Sequence, residues 1–194
     1  KTVNMPKDNI QRAIKKAGGD DADTYLETTY EGYAQHGIAI FIESTTDNIN
    51  RTVAEVRSVF NKTGGELGKN GSLEFLFQKK GVFLVDVKNL AHDLEELEMG
   101  LIDYGLEELE VTESRCSIIC DFEKFGIMQT HLESMSIEPI SSSIERIANE
   151  TINLSIEDGT KILNIIEKFE DLDDVQKVFH NLEITDELIK KLDE

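Results

Sequence analysis

The sequence predicts an α+β chain, an α/β sandwich of two ferredoxin-like-related units with one inserted into the other, and two observations carry that reading. Residues 82–147 run in the order β-α-β-β-α-β, the split arrangement of a ferredoxin-like unit, on a length that can close on itself. The helix and strand that follow cannot build a core alone, but with the elements of the first 80 residues they can. A discontinuous unit over residues 21–80 and 148–194 is therefore expected, with residues 81–147 inserted in it, and residues 1–20 stand apart.

In chain order, Pro6 suits a first helical turn, where its missing N–H is harmless. Ile10 and Ile14 give that helix an apolar edge, and Lys7, Arg12, Lys15 and Lys16 cover the rest. Gly18-Gly19 end it, and a helix so short needs something to dock on. Thr24-Tyr-Leu-Glu-Thr-Thr-Tyr-Glu31 reads as a strand leading into Ile38-Ala-Ile-Phe-Ile-Glu43. There Ile38, Ile40 and Ile42 alternate with period two against Ala39, Phe41 and Glu43, giving one strongly apolar face. Thr46 or Asp47 is placed to accept from the next turn and start a helix. Val53, Val56 and Phe60 form its buried stripe, and Gly64-Gly65 stop it. Leu73-Glu-Phe-Leu-Phe-Gln78 is predicted to resume as a strand, closing a β-α-β unit, with Lys79-Lys80-Gly81 as a turn.

The inserted unit starts with a strand over 82–87. Leu90, Leu94, Leu97 and Leu101 repeat at helical spacing, closed by Gly100 or Gly105. Glu108-Leu-Glu-Val-Thr112 and Arg115-Cys-Ser-Ile-Ile-Cys120 read as two strands about a tight turn. Phe122, Phe125, Met128 and Leu132 mark a second helix, weakened at Gly126, and Pro139 favours an edge or strand start for 139–147. Beyond it come Thr151-Ile-Asn-Leu154, a helix through Ile162, Ile165, Ile166 and Phe169, a strand over 175–180, and a short terminal helix with Leu188 and Leu192.

At 39% hydrophobic and 30% charged residues, the composition is that of a water-soluble globular protein. The apolar runs fall far short of the roughly 20 residues of a membrane span, and a cytoplasmic protein is expected. The net charge of −19 opposes nucleic-acid binding, because phosphate affinity rests on Lys and Arg. Its distribution matters more. Residues 1–16 carry five basic side chains and one acidic, whereas residues 86–123 carry twelve acidic and two basic. The front of the chain could face a polyanion that the middle would repel; equally, the acidic helices could be solvated surface. Cys116 and Cys120 lie on one face of a strand about 13 Å apart, too far for a disulfide. They read as small buried thiols in a reducing compartment.

No catalytic apparatus is legible. His36, His92, His131 and His180 sit in different elements without metal-ligand spacing. Gly64-Gly-Glu-Leu-Gly-Lys-Asn70 is one residue short of a P-loop, has Asn where Ser or Thr belongs, and follows a helix instead of preceding one. Two groups could meet a polyanion: Lys7, Arg12, Lys15 and Lys16 on the opening helix, and Asn48, Asn50, Arg51, Arg57, Lys62 and Lys69 around the central helix. The competing reading has Asn48 and Asn50 capping the helix while Arg51 and Arg57 pair with nearby Glu. Tyr30 and Tyr33 could stack on bases or pack in the sheet. The ferredoxin-like unit is similar to RNA-binding scaffolds but lacks their aromatic signature.

Five blocks, in order, resemble the YebC family: Met5-Pro-Lys-Asp-Asn-Ile-Gln-Arg-Ala-Ile-Lys-Lys16, Tyr30-Glu-Gly-Tyr33, Thr46-Asp-Asn-Ile-Asn-Arg-Thr-Val-Ala-Glu-Val-Arg57, Gly64-Gly-Glu-Leu-Gly68 and Asp171-Leu-Asp-Asp-Val-Gln-Lys-Val-Phe-His-Asn181. The family includes the mitochondrial translational activator of cytochrome c oxidase. The chain departs from it at Gln35-His36, where Pro-Gly or Gly-Gly is usual, and at Ile49, often an arginine. The resemblance implies a preceding basic helical domain of which residues 1–20 are the tail, and the opening Lys1-Thr-Val-Asn reads as the start of a fragment. It also implies a non-enzymatic regulator of gene expression without cofactor, metal or small-molecule substrate. The expected function is action at the ribosome on difficult, proline-rich sequences, with ribosome or rRNA as partner. The alternative is a DNA-binding transcriptional regulator, and a third reading is a protein-interaction module. The acidic unit could dock basic ribosomal proteins, and a monomer is expected.

Overall fold

The computed structural model describes residues 25–90, 93–112 and 114–192. The opening helix predicted before residue 20 lies outside them. Two antiparallel four-stranded sheets organise the rest. The first contains β1 (Leu26–Tyr33), β2 (Ala39–Thr46), β3 (Glu66–Leu67) and β8 (Val175–His180), in the order β3-β1-β2-β8. The helices α1 (Ile49–Lys62) and α4 (Ile156–Glu170) cover one face of it, and a short α5 (Asp186–Leu192) packs on α4. The chain leaves this sheet after β3 and returns with β8.

Between those points it forms β4 (Phe77–Asp86), α2 (Leu94–Ile102), β5 (Leu106–Val111), β6 (Arg115–Asp121), α3 (Phe125–Ser134) and β7 (Ser141–Ala148). The order β5-β6-β4-β7 puts the first strand between the third and the last, the ferredoxin-like arrangement that the β-α-β-β-α-β pattern predicts. The first sheet shares the plan of antiparallel strands under two helices but is threaded differently, since its two leading strands pair directly as a hairpin.

Burial explains each choice. Ile40 and Ile42 on β2, with Ile38 just before it, pack with Val56, Phe60, Ile162 and Phe169, and the Phe60 and Phe169 rings lie 4.6 Å apart. The alternation along β2 predicts one apolar face, yet Ala39 and Phe41 on the other face are equally inaccessible. They meet Leu73, Phe77, Leu76, Ala148 and Phe179 where the two sheets come together. Arg146 closes that seam: its guanidinium lies 3.9 Å from the centre of the Phe41 ring, and its Nε donates to Glu43 Oε1 at 2.8 Å.

Three expectations are corrected here. Residues 73–78 are not the closing strand of a β-α-β unit. Residues Glu74–Leu76 form a 3-10 turn, because Leu73 and Phe77 are both drawn into the seam, and the two-residue β3 takes the closing place. Residues 79–81 are not a turn but the middle of β4. Gly81 marks close packing there, since a Cβ would stand 2.6 Å from the Phe125 ring and 2.7 Å from Cys120 Sγ. The cap of α1 is Asn48, with Oδ1 accepting from Arg51 N at 3.1 Å, and not Thr46 or Asp47.

In the second core Phe83, Val85, Leu97, Leu101, Ile118, Met128 and Leu132 surround Cys116 and Cys120. Both thiols are buried and free. Burial pushes both up, Cys120 to about 11 with help from Asp121 and Glu107.

Candidate nucleic-acid interface

The residues expected to meet a polyanion do not form one patch. Lys7, Arg12, Lys15 and Lys16 lie outside the described residues. The central group divides three ways along α1.

At the start of the helix, Arg51 is committed to carboxylates, and to Asp rather than Glu. Its Nη2 donates to Asp174 Oδ2 at 2.7 Å and to Asp47 Oδ1 at 2.8 Å, and its Nε reaches Asp174 at 3.3 Å. Its hydrogen bonds to Asp174 and Asp47 raise its pKa above the usual arginine value. Asp174 is nearly inaccessible and also accepts from Thr46 Oγ1 at 2.9 Å and Thr52 Oγ1 at 2.7 Å. Burial works to raise the Asp174 pKa, but the bonds from Arg51, Thr52 and Thr46 prevail and hold it below the ordinary carboxylate range. Arg51 is thus a tie between β2–α1 and the approach to β8, and Asp47, Glu55, Asp171 and Asp173 around it make this end acidic. The expectation that Arg51 is a free cation is corrected here. Asn48 is spent on the cap, whereas Asn50 lies within the helix and is exposed.

At the far end, Lys62 borders a hollow with Ala54, Glu55, Ser58, Val59 and Leu172, on the opposite flank of α1 from Arg57. Arg57 lines a groove of about 590 Å³ between α1 and the loop after β3. Ile49 and Val53 share its helix wall, Leu67, Gly68 and Asn70 form the loop wall, and β1 supplies the floor. Lys69 sits between two lining residues and is exposed. The outer row of α1, Asn50, Ala54, Arg57 and Asn61, is exposed and bears no carboxylate. Arg57, Lys69 and Asn50 are therefore the expected residues that remain on an open surface together. Tyr30 is buried in the sheet, whereas Tyr33 is exposed.

Sequence reasoning missed Glu31. Its side chain is almost wholly buried and accepts from the backbone N–H of Gly71 at 2.7 Å and from that of Leu73 at 2.5 Å. Its own carbonyl accepts from Gly68 N at 2.7 Å, and Thr29 Oγ1 donates to Asn70 Oδ1 at 3.0 Å. An acid at a strand position facing a glycine-rich loop was the available signal. Also unforeseen is the cleft between the sheets, where Lys79, Arg146 and Lys177 gather with Glu27, Glu43, Glu145 and Phe122. The Lys79 ammonium lies 5.7 Å from the centre of the Phe122 ring, and Lys177 donates to the Ile144 carbonyl at 2.8 Å.

The histidines stay apart. His36 has a left-handed φ of 61° and lies 3.7 Å from Asp158; His131 stacks on Tyr104; His180 Nδ1 accepts from Leu182 N at 3.2 Å. Burial lowers the His180 pKa. His92 is outside the described residues. Among the described residues no three His, Cys, Asp or Glu side chains converge in a way that would hold a metal ion, and no helix is long and apolar enough to cross a membrane.

Fold and surface together define a class: an α+β protein of two antiparallel four-stranded sheets, one formed by the stretch of chain between β3 and β8 of the other. Residues 25–182 match the family described as TACO1/YebC second and third domain, and the chain belongs to that family. It is 50% identical over 182 residues to a "Probable transcriptional regulatory protein" of Porphyromonas gingivalis, covering 94% of this chain and 75% of the relative. A protein of the same name from Cytophaga hutchinsonii is 50% identical over 186 residues, with 96% and 77% covered. Among solved structures, a conserved hypothetical protein, Aq1575 from Aquifex aeolicus, superposes with a TM-score of 0.79 at 37% identity, covering 96% of this chain and 76% of that one.

Proposed function

We propose that this protein is a non-enzymatic regulator of gene expression that contacts nucleic acid along the outer row of α1 and the loop at Lys69, with the basic residues 1–16 adding to the same contact. The observation that carries the proposal is Arg57. In a chain of net charge −19 it stands exposed on a carboxylate-free helix row beside Lys69 and Asn70, while Arg51, six residues earlier, is consumed by structure. The names of the relatives support the transcriptional form of this reading, with DNA as the partner. That form predicts a duplex site bound well above the non-specific level at a stated salt concentration.

Charge favours a second form, action at the ribosome. Among the described residues no helix presents the row of exposed basic side chains that reading a major groove requires. The acidic second unit, with Glu95, Glu96, Glu98 and Asp103 exposed along and just after α2, would face basic ribosomal proteins instead of phosphate. This form predicts co-sedimentation with ribosomes and increased stalling at proline-rich codons when the protein is lost. Simultaneous charge reversal of Lys7, Arg12 and Lys15 tests the part common to both. If association with both ribosomes and DNA survives unchanged, the contribution of residues 1–16 is wrong.

A further inference from the structure

The groove between α1 and the loop of residues 68–73 has a built wall. Here the loop is pinned by two residues of β1, Thr29 and Glu31, the latter through both its carbonyl and its side chain. Thr29 bonds Asn70, the Glu31 carbonyl takes Gly68 N, and the Glu31 carboxylate takes the N–H groups of Gly71 and Leu73. Ser72 Oγ stands at 3.5 Å from the same carboxylate. A buried carboxylate is costly unless hydrogen-bonded, so Glu31 is stable only with the loop in place, and the loop is equally tied to Glu31. The packing is close enough that a Cβ on Gly68 would stand 3.1 Å from Ser72 Oγ and 3.2 Å from the Glu31 carbonyl oxygen.

The opposite wall is Ile49, Val53 and Arg57 of α1, and Ile49 is 43% exposed. The space is concave, with Ile49, Val53 and Arg57 on the helix wall, exposed Lys69 between the lining residues Gly68 and Asn70 of the loop wall, and Glu27 as the exposed acid of the floor. A duplex hides its base faces and is read by an element that enters its groove. A concave site with apolar walls suits bases that have left the stack. We propose that this groove takes a single unpaired strand of nucleic acid, with Arg57 and Lys69 facing its phosphates, and that Glu31 is the positioning residue that fixes the loop wall. This rests on the nucleic-acid reading above and is the same for RNA and for melted DNA.

The test uses the whole chain and fluorescein-labelled oligonucleotides of about 12 nucleotides, within the site size of single-strand grooves. Oligo(U), oligo(dT) and a mixed-sequence duplex are titrated by anisotropy at several salt concentrations. The expected result is preference for the single strands, a loss of about tenfold or more in Arg57→Glu and Lys69→Glu, and a salt slope reduced by about 1 in each. Comparable oligo(U) and oligo(dT) binding points to the shared backbone; a gap between them assigns the strand to RNA or DNA. Glu31→Gln should weaken binding, speed hydrogen exchange at Gly71 and Leu73 but not at Ile40 or Ile42, and be non-additive with Lys69→Glu. Additive loss, or wild-type binding by Glu31→Gln, overturns the positioning role. If Glu31→Gln does not fold, Thr29→Val, which removes only the bond to Asn70, carries the same cycle. Preference for the duplex, with Arg57→Glu silent on single strands, overturns the groove while leaving nucleic-acid binding intact. No binding to any of the three probes overturns the parent reading as well.

Discussion

The two sheets are held together by different means. Among the described residues of the second, built from one continuous stretch, the Lys80–Glu107 ion pair reaches between distant positions, but the side-chain hydrogen bonds within residues 77–148 join partners no more than four residues apart. They are local caps and turns around an apolar core. In the first, assembled from stretches on either side of that insertion, buried polar bonds cross the whole gap. Thr46 and Thr52 reach Asp174 at sequence separations of 128 and 122, and Asn181 Oδ1 accepts from Ala39 N at a separation of 142. Apolar packing alone is tolerant of register and partner. Directional bonds with few alternatives would select the one docking of a returning chain, and a contiguous unit has less need of them.

The comparison can be broken most severely in the core. Phe169→Ala removes the ring that joins α4 to Phe60 across the two stretches and should cost about 3–5 kcal/mol. Hydrogen exchange should then rise first in β8 and β2, with the amides of β4 and β6 protected to a later stage. Equal loss in both sheets would mean that they unfold as one unit. Next comes Asp174→Asn, which removes the charge facing Arg51 and puts an NH2 that cannot accept in place of one carboxylate oxygen, and should cost about 1–3 kcal/mol in urea unfolding. Asp121→Ala, which removes the cap of the turn before α3 that accepts from Glu123 N at 2.8 Å, should cost about 1 kcal/mol.

The polar tie also makes acid sensitivity a property of the first sheet. A carboxyl held below its unfolded value stabilises the fold above the unfolded pKa and loses that contribution as pH falls through the folded one. Wild-type urea midpoints should therefore drop below pH about 4, and Asp174→Asn should flatten that drop. The second sheet should respond at the other end of the scale. Cys120, raised to about 11, favours the fold while it stays a thiol, so stability should decline as pH rises past the ordinary thiol value toward 11. Both cysteines should resist alkylation until the protein unfolds. The smallest effect belongs to Arg57→Ala, within about 0.5 kcal/mol of wild type, whereas Arg51→Ala should lower the urea midpoint clearly. Equal effects would erase the distinction between the two arginines.

Much of the fold was legible in residues that speak locally. The stripe of Val53, Val56 and Phe60 found α1, Gly64 with φ of 72° marked its stop, and the pattern over 82–147 named the second sheet's topology. The site was less legible, because a cation is defined by what stands opposite it. Arg51 has Asp47 four residues before it and Arg57 has no acid at that spacing, so part of the difference is local. The return of Asp174 alongside β2 turns that exposed pair into a tie between distant stretches.

What the sequence alone determined is therefore what depends on neighbours within a turn or a strand: periodicity, helix stops, and a charge concentrated in one stretch. Tertiary structure decided what depends on distant partners. It converted residues 73–76 from a strand to a turn at the seam, buried both faces of β2, and gave Glu31 a loop to hold. Local conformational preferences amount to fractions of a kcal/mol per residue, whereas burial of a large apolar side chain or a lone carboxylate is worth several times that, so the long-range term wins wherever the two disagree.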